Sequence, residues 1–212
     1  MEKFYTIKQN IETEIVEKKS KFIATLKKVS SKKEAEEKIQ EIKKKYFDAR
    51  HNCIAYRIVE DGQIVERFSD DGEPSGTAGA PMLNILRKNN LANVLVVVTR
   101  YFGGILLGTG GLVRAYSDSL LKAIDESIII EKCLGLEYEV ELEYNNLEKF
   151  KYYCRNNQIE IVDIIYTEKI VCKIQMEEIK KRKFLEDYET KKIKIEKLRF
   201  FSKKIIDKSI EK

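Results

Sequence analysis

Apolar positions recur along this chain at two periods, and each change of period marks an element. Ile11–Val16 and Phe22–Leu26 predict two strands joined by the charged turn Glu17-Lys18-Lys19-Ser20. Ser31-Lys-Lys-Glu34 has the spacing of a capping box, in which serine and glutamate satisfy orphan amides reciprocally. Ala35, Ile39, Ile42 and Tyr46 follow at helical spacing and predict an amphipathic helix over 32–47. Cys53–Val59 and Gln63–Phe68 read as a hairpin with Asp61-Gly62 as a type I′ turn. A short helix is expected over 78–89, starting near Pro81 or just before it. Leu95–Thr99 is apolar on both faces, as a central strand covered on both sides must be. Gly110-Gly111 then opens a helix that carries Leu112, Tyr116, Leu120, Ala123 and Ile124 on one face.

The texture changes after Cys133: residues 136–212 contain neither glycine nor proline. Leu136, Tyr138, Val140, Leu142 and Tyr144 alternate with glutamates, the pattern of a strand with one wet face. Asn145 or Asn146 is placed to cap a helix reaching about residue 156. Two strands are predicted near 159–165 and 170–176, turning at Thr167-Glu168, then a helix over about 177–188. Ile193, Ile195 and Leu198 suggest a last strand. The order β-α-β-β-α-β is the ferredoxin-like arrangement, so the chain reads as α+β in two domains, 1–134 and 135–212.

Composition narrows the class. Of 212 residues 35% are charged, yet the net charge is only +5, with 22 basic and 19 acidic residues before Gly135 and 18 and 16 from there on. Neither half is a polycationic tail, so attraction to phosphate would need local clustering. Cys53, Cys133, Cys154 and Cys172 are scattered, which argues against structural zinc and a disulfide framework. Free cysteines without a signal peptide point to the cytoplasm. The longest apolar run, Val94–Val98, is far too short to span a bilayer, and no membrane role is expected.

Glycine concentrates the candidate chemistry. Eight of ten glycines and both prolines lie between residues 72 and 111. They are mixed there with hydroxyls (Ser69, Ser75, Thr77, Thr109), carboxylates (Asp70, Asp71, Glu73) and arginines (Arg67, Arg100, Arg114). Gly108-Thr109-Gly110-Gly111 at a helix start offers unpaired amides to a phosphate, or is a tight turn that lets the helix pack closely. It is neither a Walker loop nor a dinucleotide fingerprint. Ser69-Asp70-Asp71-Gly72-Glu73 either holds a divalent cation or caps amides in a turn, and lacks EF-hand spacing. His51, the one histidine, has no nucleophile elbow to serve and suits structure or binding better than catalysis. Arg100-Tyr101-Phe102, running into Gly103-Gly104, suits base stacking with a phosphate contact. Alternatively one ring enters the core and Arg100 pairs with Asp70 or Asp71. Lys180–Lys183 and Lys191-Lys192 add positive charge to the second domain, usually the mark of a solvated face. RNA binding on its sheet would need exposed aromatics, whereas Tyr138 and Tyr144 fall on the core side of the alternation.

Glu66–Leu83 and Val97–Gly108 together resemble the YigZ/IMPACT family. Its spaced signature runs through Gly79, Met82, Leu83, Leu86, Leu91, Arg100, Gly103, Gly104 and Gly108. Lys21-Phe-Ile-Ala24 and His51–Tyr56 also fit, so the whole first domain is covered; the remainder is similar by pattern to the second domain of bacterial YigZ-type members. The resemblance implies a ribosomal-S5-domain-2-like α/β sandwich followed by a ferredoxin-like domain, two folds that also occur side by side in translocase-type elongation factors. It also implies a role in translation: IMPACT proteins regulate initiation through protein partners, and bacterial members have a proposed nucleic-acid or ribosome role without established catalysis.

The leading expectation is therefore a non-enzymatic, translation-associated regulator or accessory factor that binds RNA or the ribosome. In it Arg100, Arg114 and the Gly108–Gly111 amides meet phosphate, Tyr101 or Phe102 stacks, and Gly103 and Gly104 belong to the same phosphate- or nucleic-acid-binding set. Asp70, Asp71 and Glu73 orient the arginines or bind an ion, and no cofactor is called for. A protein-binding adaptor needs an exposed apolar patch. An enzyme acting on a phosphorylated small molecule or nucleotide needs those carboxylates to converge with His51 or Arg100.

Overall fold

Two sheets with their helices make up the chain in the computed structural model, which describes residues 3–60 and 63–207. It divides into two compact units, Lys3–Ile130 and Glu131–Lys212. The first contains β1 (Lys3–Ile7), β2 (Ile11–Glu17), β3 (Ser20–Lys28), α1 (Lys32–Lys45), β4 (His51–Glu60), β5 (Gln63–Ser69), α2 (Gly79–Lys88), β6 (Val94–Tyr101) and α3 (Gly108–Asp125). Its main sheet is antiparallel in the order β2-β3-β6-β4-β5, with β6 at the centre.

The apolar run of β6 is shared between two cores by the pleat. Val94, Val96 and Val98 pack with Met82, Leu86, Leu112, Tyr116 and Leu120 of α2 and α3. Leu95 and Val97 pack with Ala35, Ile39 and Ile42 of α1. Helices on both faces explain why an antiparallel strand lacks the usual polar alternation. The β2–β3 turn runs through Lys18 and Lys19 at φ 44° and 64°. The Asp61-Gly62 turn lies outside the described residues.

At α1 the box is modified. Ser31 accepts the Glu34 amide at 3.2 Å, but the Glu34 carboxylate bonds Ser30, taking its amide at 2.8 Å and its hydroxyl at 2.7 Å. The helix stops at Lys45, short of the expected 47, because Tyr46 leaves helical geometry while its amide still reaches the Ile42 carbonyl. The helix predicted to open at Gly110 begins at Gly108.

The second unit is built from β7 (Ile129–Leu142), which begins just before the division, α4 (Leu147–Asn156), β8 (Glu160–Tyr166), β9 (Ile170–Glu177), α5 (Lys181–Glu189) and β10 (Lys197–Asp207). Its strands pair antiparallel in the order β10-β7-β9-β8, the ferredoxin-like topology. The mixed α+β class is thus as expected.

Three local expectations fail here. Tyr144 leaves the strand for a 3-10 turn and is 51% exposed, so it is not a core residue. Asn146 stands at the N-cap of α4 without a side-chain cap bond, and the preceding 3-10 turn takes over the helix entry. Ile193 and Ile195 are not in a strand. They belong to a connection packed on the core, and β10 starts at Lys197, where pairing with β7 becomes available. Alternation alone cannot separate a packed connection from a strand when the partner is distant in sequence.

An acid-sensitive tie joins β10 to β7. Lys204 first, then the Ser202 hydroxyl and the Gln175 amide, hold the Glu137 carboxyl at about 2, well below its ordinary 4.5. A depressed carboxyl contributes stability that is complete above its unfolded value and is lost as pH falls through the folded one. The difference in urea midpoint between wild type and Glu137→Gln is therefore expected to shrink as pH falls from about 5 to about 2. A pH-independent difference would exclude that linkage.

Candidate functional site

Between β5 and α2 the chain crosses an irregular loop, and Asp70 closes it. Its Oδ2 accepts the Gly76 amide at 2.8 Å, and its Oδ1 accepts those of Ala78 and Gly79 at 3.0 and 2.8 Å. Ala78, at the N-cap of α2, has no side-chain acceptor of its own. Asp70 supplies that acceptor and places a negative charge at the positive end of the helix dipole. Ser69 accepts the Asp71 amide, buried Thr77 donates to the Pro74 carbonyl, and Ser75 is exposed.

Asp71 turns toward β4. Its carboxylate accepts the Asn52 amide at 2.7 Å and pairs with Lys43 at 2.6 Å. Burial would raise this carboxyl, but the Lys43 ammonium and the Asn52 amide outweigh it and hold the group below its ordinary value. Asp70 and Asp71 are thus occupied by backbone and lysine. Among the described residues no group of three or more His, Cys, Asp or Glu is placed to hold a metal ion.

Glu73 points inward, its side chain 3% exposed. Its Oε1 accepts from Arg100 Nη1 at 2.6 Å and from the Tyr116 hydroxyl at 2.9 Å. Strand register brings the rest together, since Arg100 of β6 stands opposite His51 of β4 and Phe22 of β3. The His51 Nδ1 lies 2.8 Å from the Asp71 carbonyl. A carbonyl only accepts, so that nitrogen carries a proton. The Nε2 faces Glu73 at 3.9 Å, beyond hydrogen-bond reach. Burial first, then Cys53 and Glu73, push the Tyr116 hydroxyl well up. Burial likewise pushes the Cys53 thiol up to about 12 while it donates to the Asp70 carbonyl. At neutral pH this thiol is no nucleophile.

Arg100 is consequently a buried structural cation. It pairs with Glu73 rather than with Asp70 or Asp71, and its guanidinium is not presented to a phosphate. It lies over the rings of Phe22 and Phe102, 5.4 and 5.6 Å from their centres. Phe102 is the ring left at the surface, 38% exposed, and Arg50 approaches it as well, at 5.5 Å. Tyr101 is tied through its hydroxyl to Asp48. Gly103 passes so close to the β2–β3 turn that its amide bonds Ser20 Oγ at 3.2 Å, and Gly104 takes φ 83°.

The chain then enters α3 with no capping side chain at Leu107 and no acidic residue in the first turn. Gly108, Thr109 and Gly110 are exposed and Gly111 is half-buried. One turn further, exposed Arg114 lines a small cleft of about 300 Å³ together with Gly111, Lys18 and Asp118. The predicted residues therefore separate into an inner cluster (His51, Glu73, Arg100) and a surface rim (Phe102, Gly108–Gly111, Arg114). Sequence reasoning missed Arg50 of the rim and Tyr116 and Cys53 of the cluster. Tyr116 stood out only as a core position, and no local signal marked Arg50.

Residues 18–124 match the Impact N-terminal domain, and residues 140–186 match a domain of unknown function (DUF1949). The chain belongs to the IMPACT family. Family member YvyE of Bacillus subtilis (strain 168) is 43% identical over 183 residues, 86% of this chain and 84% of that protein. The IMPACT homolog of Dictyostelium discoideum is 46% identical over 97 residues, 44% of this chain and 28% of that one. A crystal structure of a hypothetical protein superposes with a TM-score of 0.62 at 29% identity, over 95% of this chain and 98% of its own. In this IMPACT-family chain the inner cluster and the rim both fall within the Impact N-terminal match. Among the described residues no helix is long and apolar enough to cross a membrane.

Proposed function

We propose that this IMPACT-family protein is a translation-associated factor that contacts RNA or the ribosome through the rim of its first unit. The observation that carries the reading is the start of α3: an uncapped helix of 18 residues with no acidic residue in its first turn, exposed glycines, and exposed Arg114 nearby. Free amides and the helix dipole favour a phosphate there. Arg50 over Phe102 adds a charged, stackable face. Arg100 serves from behind, holding Phe102 and neutralising Glu73.

Sucrose-gradient sedimentation of native lysate at several salt concentrations tests this. The protein is expected to co-migrate with ribosomal particles at low salt, with association about tenfold weaker in Arg114→Ala, roughly the effect of one charged hydrogen bond. A protein that stays at the top of the gradient at every salt concentration would overturn the reading.

A protein-binding adaptor is the second reading, favoured by Ile105 and Leu106, 43% and 82% exposed beside Phe102. Co-migration that survives high salt but is lost in Leu106→Asp would select it. An enzyme acting on a phosphorylated ligand has less support, because only Glu73 of the three carboxylates converges with His51 and Arg100.

A further inference from the structure

The second unit carries a cleft of about 620 Å³ on its helical side, lined by α4, α5 and the connection that follows α5. That volume suits a small organic ligand. Its apolar lining comes from Phe150 and Ile193, both buried, with the rings of Tyr152 and Tyr153 beside them. Tyr153 is held in place, its hydroxyl donating to Asp187 at 2.8 Å. Tyr152 is 66% exposed and presents a ring that no aromatic neighbour covers among the described residues.

Five lysines line the same cleft, and among the described residues no carboxylate does. Asp187 neutralises one of them, Lys192, at 2.9 Å. Lys183 donates to the neutral amide oxygen of Asn157 at 2.7 Å and also feels the Asp187 carboxylate. Lys149, Lys191 and Lys194 pair with no carboxylate among the described residues. Three ammonium groups without a carboxylate partner, with Lys183 beside them, repel each other around one concavity and concentrate an attractive field for an anion. Beside Asn157, two more amides complete the lining. Asn146 leaves the cap of α4 unmade, and Asn156 bonds no other side chain among the described residues, so both can address a polar ring edge.

We infer that this cleft takes a phosphorylated nucleoside: a planar ring against Tyr152, its polar edge toward Asn146 and Asn156, and its phosphates among Lys149, Lys183, Lys191 and Lys194. A bare anion would use the lysines and leave the ring and the amides idle. A purely apolar ligand would leave the charges unopposed. The inference is independent of the rim on the first unit and goes beyond the translation role.

Isothermal titration calorimetry of the whole chain tests it, with ATP and GTP as probes and inorganic tripolyphosphate, adenosine and decauridylate as comparisons. One nucleotide per chain is expected to bind with a salt-sensitive affinity. The affinity should fall by at least about tenfold in Lys191→Ala/Lys194→Ala, since each lost charged hydrogen bond to phosphate is worth about that much. Tyr152→Ala should weaken it severalfold, by the loss of stacking, while Arg114→Ala leaves it unchanged. All these side chains are exposed, and unchanged circular dichroism will verify folding. No heat with either nucleotide at millimolar concentration would overturn the assignment. So would tripolyphosphate binding as tightly as ATP with no effect of Tyr152→Ala, or binding of decauridylate alone.

Discussion

Gly103→Ala is expected to destabilise the first unit by about 3 kcal/mol or more, as overpacking against backbone does, and to lower its melting midpoint by roughly 10 °C. A Cβ at this position would stand 2.0 Å from the carbonyl carbon and oxygen of Lys19 and 2.5 Å from the Ser20 nitrogen. Those atoms belong to the β2–β3 turn, whose two residues already sit at positive φ, so the turn cannot yield as a flexible side chain would. Moving it also breaks the Gly103–Ser20 bond and withdraws Ser20 Oγ, 3.5 Å from Arg100 Nη2. Gly104→Ala is the control. Among the described residues it meets nothing within 4 Å, so it carries the strain of φ 83°, about 1 to 2 kcal/mol. Thermal melts followed by circular dichroism decide the matter: equal midpoints for the two variants would exclude the close approach as the reason for glycine at 103.

Glu73→Ala should be comparably severe, at about 3 to 5 kcal/mol, the cost of leaving one member of a buried ion pair alone. The Arg100 guanidinium would stay buried with its Nε already unpartnered, and the Tyr116 hydroxyl would lose its acceptor. Glu73→Gln keeps an acceptor for both donors and should cost less. Adding Arg100→Met to Glu73→Ala removes the stranded charge, so the double variant should be more stable than the sum of the singles predicts. Urea unfolding measures all four. A Glu73→Ala cost below about 1 kcal/mol, the level of an exposed pair, would show that the cluster is solvated and that Arg100 is free to meet a ligand.

Much of the fold was legible in the sequence because its signals are local. The two periods of hydrophobicity located the strands and helices, Ser31 and Glu34 marked the start of α1, and the charged Lys18-Lys19 turn is where β2 meets β3. Legibility failed where a distant partner decides. Ile193 and Ile195 alternate like a strand, yet Lys197 onward pairs with β7. Tyr144 continues the alternation of β7 but falls in the turn beyond it.

The candidate site divides in the same way. Glycines, carboxylates and arginines between 69 and 114 announced a polar region from composition alone. Their roles depended on long-range geometry. Arg100 could have met Asp70, Asp71 or a phosphate, and its partner Glu73 was selected when Asp70 was consumed by the Gly76, Ala78 and Gly79 amides and Asp71 by Asn52 and Lys43. Arg50 gained its place beside Phe102 only through the pairing of β4 with β6.

By itself, then, the sequence determined which segments become strands and helices, the α+β class, and the family, because propensity, periodicity and turn chemistry act within a few residues. Only the tertiary structure decided which carboxylate is buried, which arginine is exposed, and where the second unit's lysines gather around a cleft. Those outcomes follow from strand register and helix packing between residues far apart in the chain. There, desolvation and the competition for hydrogen-bond partners choose among pairings that the sequence leaves equally open.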